Sequence, residues 1–351
     1  MRTLNLDQRE IIIELLSRLQ DFRKYYGYND MLLTSLLNQL GSHLQDSHLS
    51  HYSLNFYQEE LRIEKLHLGP SHPDLALTLY DIGQVFAENE QLFIATEYFT
   101  EAFFLLEKSN KKGKLLALTL FKLGLLKCES SPVDAMKLFQ SSIKTLQNTL
   151  GEFHPHIAEM YLLIGKLQLQ SGKKFNAMDS FLQAIMIRRL STGNNCTEVG
   201  ELLYNIGLCH KNNGEDVEAL NSFYQSLEIM KRFQHKECII MMLYEIFLIH
   251  KNFRDIEKAV NALHEIISIV KEKLGEKHIC IAIILGQLYT LYLEQGMTEE
   301  SKKVSKNIDI ICNMSRLAPC DSNHDLINLI IELFGHVFKE NSKMIAAAAA
   351  A

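Results

Sequence analysis

Residues 53–83 read SLNFYQEELRIEKLHLGPSHPDLALTLYDIG. The stretch holds the end of one helix, a break, and the start of another. Ser53, Tyr57 and Leu61 fall on one helical face. In the break, Gly69 fits the left-handed position that follows a helix. Pro73 fits the first turn of the next helix, and Asp74 there complements the helix dipole. The same device returns as Leu150-Gly151-Glu152-Phe153-His154-Pro155 and, without the proline, as Leu274-Gly275-Glu276-Lys277-His278.

The end of that stretch repeats. Tyr80-Asp81-Ile82-Gly83, Phe121-Lys122-Leu123-Gly124, Leu162-Leu163-Ile164-Gly165 and Tyr204-Asn205-Ile206-Gly207 share one frame, with glycines 41, 41 and 42 residues apart. Stepping back reaches Gly41, and stepping forward reaches Phe247 and Tyr289, which makes seven units. A small residue follows each anchor: Ser53, Ala95, Ala135, Ala177, Ala219, Ala259 and Ser301. Four residues on, most units place a large one: Tyr57, Phe99, Phe139, Phe181, Phe223 and Leu263. Another small residue often comes three further: Ala102, Ser142, Ala184 and Ser226. Small residues let two helices approach, the large one is expected to fill the gap between neighbouring units, and stacking of neighbours supplies the core. Units six and seven carry Phe247 and Tyr289 where glycine is usual, so their pairs are expected to splay.

This pattern, Tyr-x-Ile-Gly followed by Ala-x3-Phe-x2-Ala, resembles the tetratricopeptide repeat. The period near 42 residues and the Leu-Gly-x-x-His-Pro linker are similar to the kinesin light chain type of that family. The resemblance implies an all-α fold, a right-handed superhelical α-solenoid of about seven helix pairs over residues 33–313. Residues 1–32 form an N-terminal capping or docking helix, with Ile12, Leu15, Leu16, Leu19 and Phe22 as its apolar stripe. Residues 314–345 supply a C-terminal cap, with Leu326, Leu329, Ile330, Leu333 and Phe334 on one face. The run Ala346–Ala351 carries no pattern and is set aside as a placeholder.

Composition narrows the function. The 351 residues carry 42 acidic and 36 basic side chains, a net charge of −6, and are 47% hydrophobic. That is too apolar and too weakly charged for a disordered chain, and it offers no positive field for a phosphate backbone. Partners are therefore expected to be proteins rather than nucleic acid. Seven scattered cysteines without a CxxC pair point to a reducing compartment. The first twenty residues lack an uninterrupted apolar core, and no stretch of about 18 uncharged apolar residues occurs, so neither a signal peptide nor membrane insertion is expected. The expected setting is cytoplasmic, with a cytoskeletal or ciliary association as its narrower form.

Catalytic patterns are poor. His154-x-His156 lies in a linker, and Cys312, Cys320 and His324 lack a fourth ligand at zinc spacing. Phosphate loops, nucleophile elbows and HExxH are absent from the sequence. The expectation is a non-enzyme with no cofactor and no metal.

The resemblance further implies a concave groove lined by the first helix of each unit. Transferred position by position, the groove residues are Tyr80, Gln84, Phe121, Leu125, Lys166, Tyr204, Asn205, Leu208, Lys211, Tyr244 and Lys251. Asn205 takes the place where related grooves bond a peptide backbone. Lys166, Lys211 and Lys251 imply an acidic residue in a partner peptide with apolar anchors. The aromatics have a plainer reading as packing between units. Two functions follow: a peptide-binding adaptor, or a brace within a large cytoskeletal, ciliary or membrane-associated assembly.

Overall fold

The computed structural model describes residues 6–47, 49–109, 113–193, 196–276, 278–315, 330 and 332–333. Among these, regular structure is helix only. The chain divides into two compact units, Met1–Ser171 and Gly172–Ala351. The division falls between Ser171 and Gly172.

The first unit runs α1 (Leu6–Tyr26), α2 (Leu32–Asp46), α3 (Ser50–Leu68), α4 (Leu75–Glu88), α5 (Leu92–Lys108), α6 (Lys114–Lys127), α7 (Pro132–Leu150) and α8 (Pro155–Gln170). The second runs α9 (Lys174–Ser191), α10 (Thr197–Asn213), α11 (Asp216–Arg232), α12 (Lys236–Asn252), α13 (Ile256–Leu274), α14 (Ile279–Glu294) and α15 (Thr298–Ser315). Within each unit consecutive helices pack on one another, and each repeat contained in one unit is one helix pair.

The anchors meet as their sizes require. A Cβ placed on Gly41 would lie 2.5 Å from Tyr57, on Gly124 2.6 Å from Phe139, and on Gly207 2.5 Å from Phe223. The ring occupies the space a side chain would need. Phe99, Phe139, Phe181 and Phe223 are fully buried. The third, small anchor lets a hydroxyl reach the facing backbone: Ser142 Oγ donates to the Ala117 carbonyl at 2.6 Å, and Ser226 Oγ to that of Gly200 at 2.5 Å. In the sixth pair the bulk changes sides. Phe247 on α12 and Leu263 on α13 are both fully buried.

The turns explain the linker sequences. Gly69, Gly151 and Gly275 sit at φ 84, 94 and 90° with ψ near 160° (158, 165 and 161°). This is not the left-handed helical conformation expected for Gly69 but an extended mirror region that is essentially glycine's alone. The linker histidine then caps the next helix, with His154 Nδ1 accepting from His156 N at 3.4 Å and His278 Nδ1 from Cys280 N at 3.3 Å. Within pairs, the turn ends in left-handed residues: Glu90 (φ 60), Gly214 (φ 79), Arg254 (φ 59) and Gly296 (φ 70). Each is bracketed by a Schellman bond, such as Gln91 N to Phe86 O at 2.9 Å and Asp255 N to His250 O at 2.9 Å.

The N-terminal helix caps by burial. Ile12, Leu15 and Leu19 join Leu33, Leu37, Leu40, Leu44 and Ile63 in one cluster, while Leu16 is 36% exposed. The expected C-terminal cap lies outside the described residues apart from Ile330, Glu332 and Leu333, which are helical. Ile330 is fully buried in the core of the second unit, and Leu333 packs against it.

Candidate functional site

The first helices carry the groove positions, and the structure shows how each is used. The aromatics are largely spent on packing inside their own pairs. Tyr80 is buried with its ring 5.4 Å from Phe99. Phe121 lies 5.8 Å from Phe139, and Tyr204 5.6 Å from Phe223. Tyr244 lies 6.2 Å from Phe247 on its own helix. Burial pushes the Tyr80 phenol up to about 12, and raises those of Tyr204 and Tyr244 as well. Leu125 is exposed and Leu208 half-buried.

The polar members are also engaged. Asn205 is buried, and its amide donates to the Glu201 carbonyl one turn back at 2.8 Å. Lys211 pairs with Glu245 of the next first helix at 2.5 Å, and Lys251 with Glu294 of the one after at 3.0 Å. An acidic partner would have to displace these glutamates. Lys166 is half-buried on α8 in the first unit.

An open concavity lies in the first unit. A cavity of about 960 Å³ separates α2 from α4, with α3 behind it. Its lining includes Asn38, Gln45, Asp46, Tyr57, Asp81, Gln84 and Glu88. Of the expected groove residues, Gln84 lines it. The lining residues include three carboxylates and no lysine or arginine.

Behind this wall sit two more carboxylates. Glu60 is 4% exposed and Glu64 8%. Asn38 Nδ2 bridges Glu60 Oε2 and Asp81 Oδ2, at 3.3 Å each. Thr78 Oγ1 donates to Glu64 Oε2 at 2.7 Å. Burial, then the neighbouring Glu64 charge, pushes the Glu60 carboxyl up to about 8. Burial also pushes Asp81 up to about 6 and raises Glu64. Gln45 Nε2 donates to Glu88 Oε1 at 2.5 Å, and Ser50 Oγ to Glu88 Oε2 at 3.0 Å.

Sequence reasoning missed this cluster, although signals exist. Glu60 occupies the third-anchor position that is Ala or Ser in units two to five. Asn38 and Asp81, like Gln45 and Glu88, are 43 residues apart, one residue more than the step from Gly41 to Gly83. Among the described residues no group of three His, Cys, Asp or Glu side chains is arranged to hold a metal. No described helix is long and apolar enough to cross a membrane.

Comparison with known proteins agrees with this architecture. A tetratricopeptide repeat family model matches residues 158–189. A second, described as anaphase-promoting complex subunit 5, matches residues 203–295. Among solved structures, BtubC (BKLC) from P. vanneervenii aligns with a TM-score of 0.57 at 16% identity, over 66% of this chain and 94% of its own. A putative kinesin light chain from Podosopora anserina, with nearly identical TPR-like repeats, aligns at 0.48 and 14%, over 57% of this chain and 95% of its own. No curated protein matches the sequence. The chain is a helical repeat protein, all-α in its described residues, with a tetratricopeptide match over residues 158–189 and a fold like that of tetratricopeptide solenoids.

Proposed function

We propose that this chain is a non-catalytic protein-interaction scaffold that takes a segment of a partner protein on its first-helix faces. One observation carries the reading: the cavity of about 960 Å³ between α2 and α4, lined by amides and by Asp46, Asp81 and Glu88. A concave site with a few convergent polar groups is the usual form of a recognition site. Its charge favours a partner segment bearing lysine or arginine, since only an arriving cation completes the carboxylates. This replaces the acidic partner suggested by the lysines, because Lys211 and Lys251 are already matched by Glu245 and Glu294.

The test uses the full chain and labelled peptides graded in Lys/Arg content. Binding should strengthen with basic content, weaken with salt, and fall at least about tenfold in Asp46→Lys/Glu88→Lys. Equal binding of acidic and basic peptides, or binding indifferent to the double variant, overturns the assignment.

A second reading, a structural subunit of a larger assembly, is favoured by the match of residues 203–295 to a model named for a complex subunit. Large exposed apolar residues add to it: Phe93 at 78%, Phe175 at 75% and Val217 at 67%. Copurification in stoichiometric amount with a fixed set of chains would support this reading. Reversible capture of basic peptides alone would support the first.

A further inference from the structure

The turn between α12 and α13 joins a buried titratable side chain to a strained backbone. His250 is 4% exposed, at the end of α12. Its Nε2 lies 3.1 Å from the Tyr224 hydroxyl of α11. Its Nδ1 is buried without a hydrogen-bond partner and faces Asp255 Oδ2 at 3.6 Å. With a carboxylate on that side, the neutral ring carries its proton on Nδ1, and Nε2 accepts from Tyr224.

Asp255 already has other duties. It caps α13, accepting from Lys258 N at 3.4 Å, and pairs with Lys258 Nζ at 2.9 Å. Between the two residues, Arg254 is held left-handed at φ 59, a strained conformation for a non-glycine residue. The Schellman bond closing this turn runs from Asp255 N to the His250 carbonyl itself.

We infer that Tyr224, His250 and Asp255 form an acid-operated catch, which holds the α12–α13 turn closed while the imidazole is neutral and releases it on protonation. A second proton removes the acceptor that Tyr224 uses and leaves a cation in a buried site. The charged and titratable groups acting on the ring are Asp255 and Lys258, with Tyr224 in hydrogen-bond contact. Burial dominates and holds the imidazole below its usual value, and Lys258 adds to this while Asp255 opposes it. The opened turn therefore takes up a proton that the closed turn resists. Closure is complete above the ordinary histidine range and weakens as pH falls through it. The preceding pair has the partnered counterpart: His210 Nδ1 lies 2.6 Å from Glu215 Oε2 across a turn whose left-handed residue is Gly214.

Hydrogen exchange of the full chain, corrected for intrinsic pH dependence, tests the catch. Opening of residues 250–258 should rise ~3-fold or more between about pH 7.5 and pH 5.5 in the wild type. The rise should vanish in His250→Gln and persist in His210→Gln. An unchanged wild-type profile, or the same rise in His250→Gln, overturns the proposal. If His250→Gln does not fold, the His250 ring is titrated by NMR in the wild type and in Tyr224→Phe. The catch requires a midpoint below the usual imidazole value that rises when the hydroxyl is removed. A midpoint at or above that value refutes it.

Discussion

Replacing Glu60 with glutamine should stabilise the first unit, and increasingly so as pH rises. Glu60 is 4% exposed, and the charged groups acting on it, Glu64 and Asp81, are both acidic. Its carboxyl moves from 4.5 when free to about 8 when folded. The folded state thus binds more protons than the unfolded state between those values. Stability contributed here is present below the lower value and is lost as pH rises through the upper one. At about 1.4 kcal/mol per tenfold change in proton affinity, the ceiling of that loss is about 5 kcal/mol for a fully ionised Glu60. Glutamine keeps an oxygen for Asn38 and brings a donor into a site crowded with carboxylates. Part of the ceiling returns as ordering of that new amide, which leaves an expected gain of about 1–3 kcal/mol near pH 9 and little near pH 4.5.

Because the chain has two compact units, a single melting curve is not a two-state measurement. Circular dichroism should be paired with hydrogen exchange read over α2 to α4. For a unit of this size, about 1 kcal/mol corresponds to about 2–4 °C. The difference between Glu60→Gln and wild type should therefore widen from near zero to several degrees between pH 4.5 and 9. A variant that is less stable than wild type by the same margin at both ends would show that Glu60 is ionised and compensated in the folded state, and would refute the reasoning.

Gly207→Ala should cost about 1–3 kcal/mol, because its Cβ would sit 2.5 Å from a fully buried Phe223 ring. Adding Phe223→Leu should recover part of this, as the Phe247–Leu263 pair places its bulk on the first helix; urea denaturation of the single and double variants measures the coupling. Glu90→Gly should stabilise the second pair by roughly 0.5–1 kcal/mol, since φ 60 strains glutamate more than glycine's extra freedom costs. Slower exchange of the α4–α5 turn would check it, and faster exchange would count against it.

Most of the fold is legible in the sequence because two kinds of signal are local. A glycine facing a phenylalanine is dictated by helix separation, and a linker glycine by backbone geometry. Both recur at the repeat period and survive without knowledge of any partner helix. The left-handed turn position is less legible, because glycine marks it at Gly214 and Gly296 while Glu90 and Arg254 occupy it under strain. A composition rule finds the first two and passes over the others. The exchange of bulk between Phe247 and Leu263 reads as a broken motif, whereas packing responds to the sum of volumes across the pair.

The charge of the groove is harder to read for a physical reason. A position on a first helix tells which face a side chain occupies, but the sign that face presents depends on the next repeat. Lys211 and Lys251 look like a basic strip only until Glu245 and Glu294, on the following helices, are set against them. Asn38 and Gln45 look neutral until Asp81 and Glu88 arrive one repeat later. In the second unit the two lysines are matched pair by pair. In the first unit the amides bridge carboxylates without neutralising them, and Asp46, Asp81 and Glu88 line the cavity with no lysine or arginine beside them. The surplus on which the proposed basic partner rests is therefore negative and lies at α2–α4, a sum over adjacent repeats that no single repeat displays.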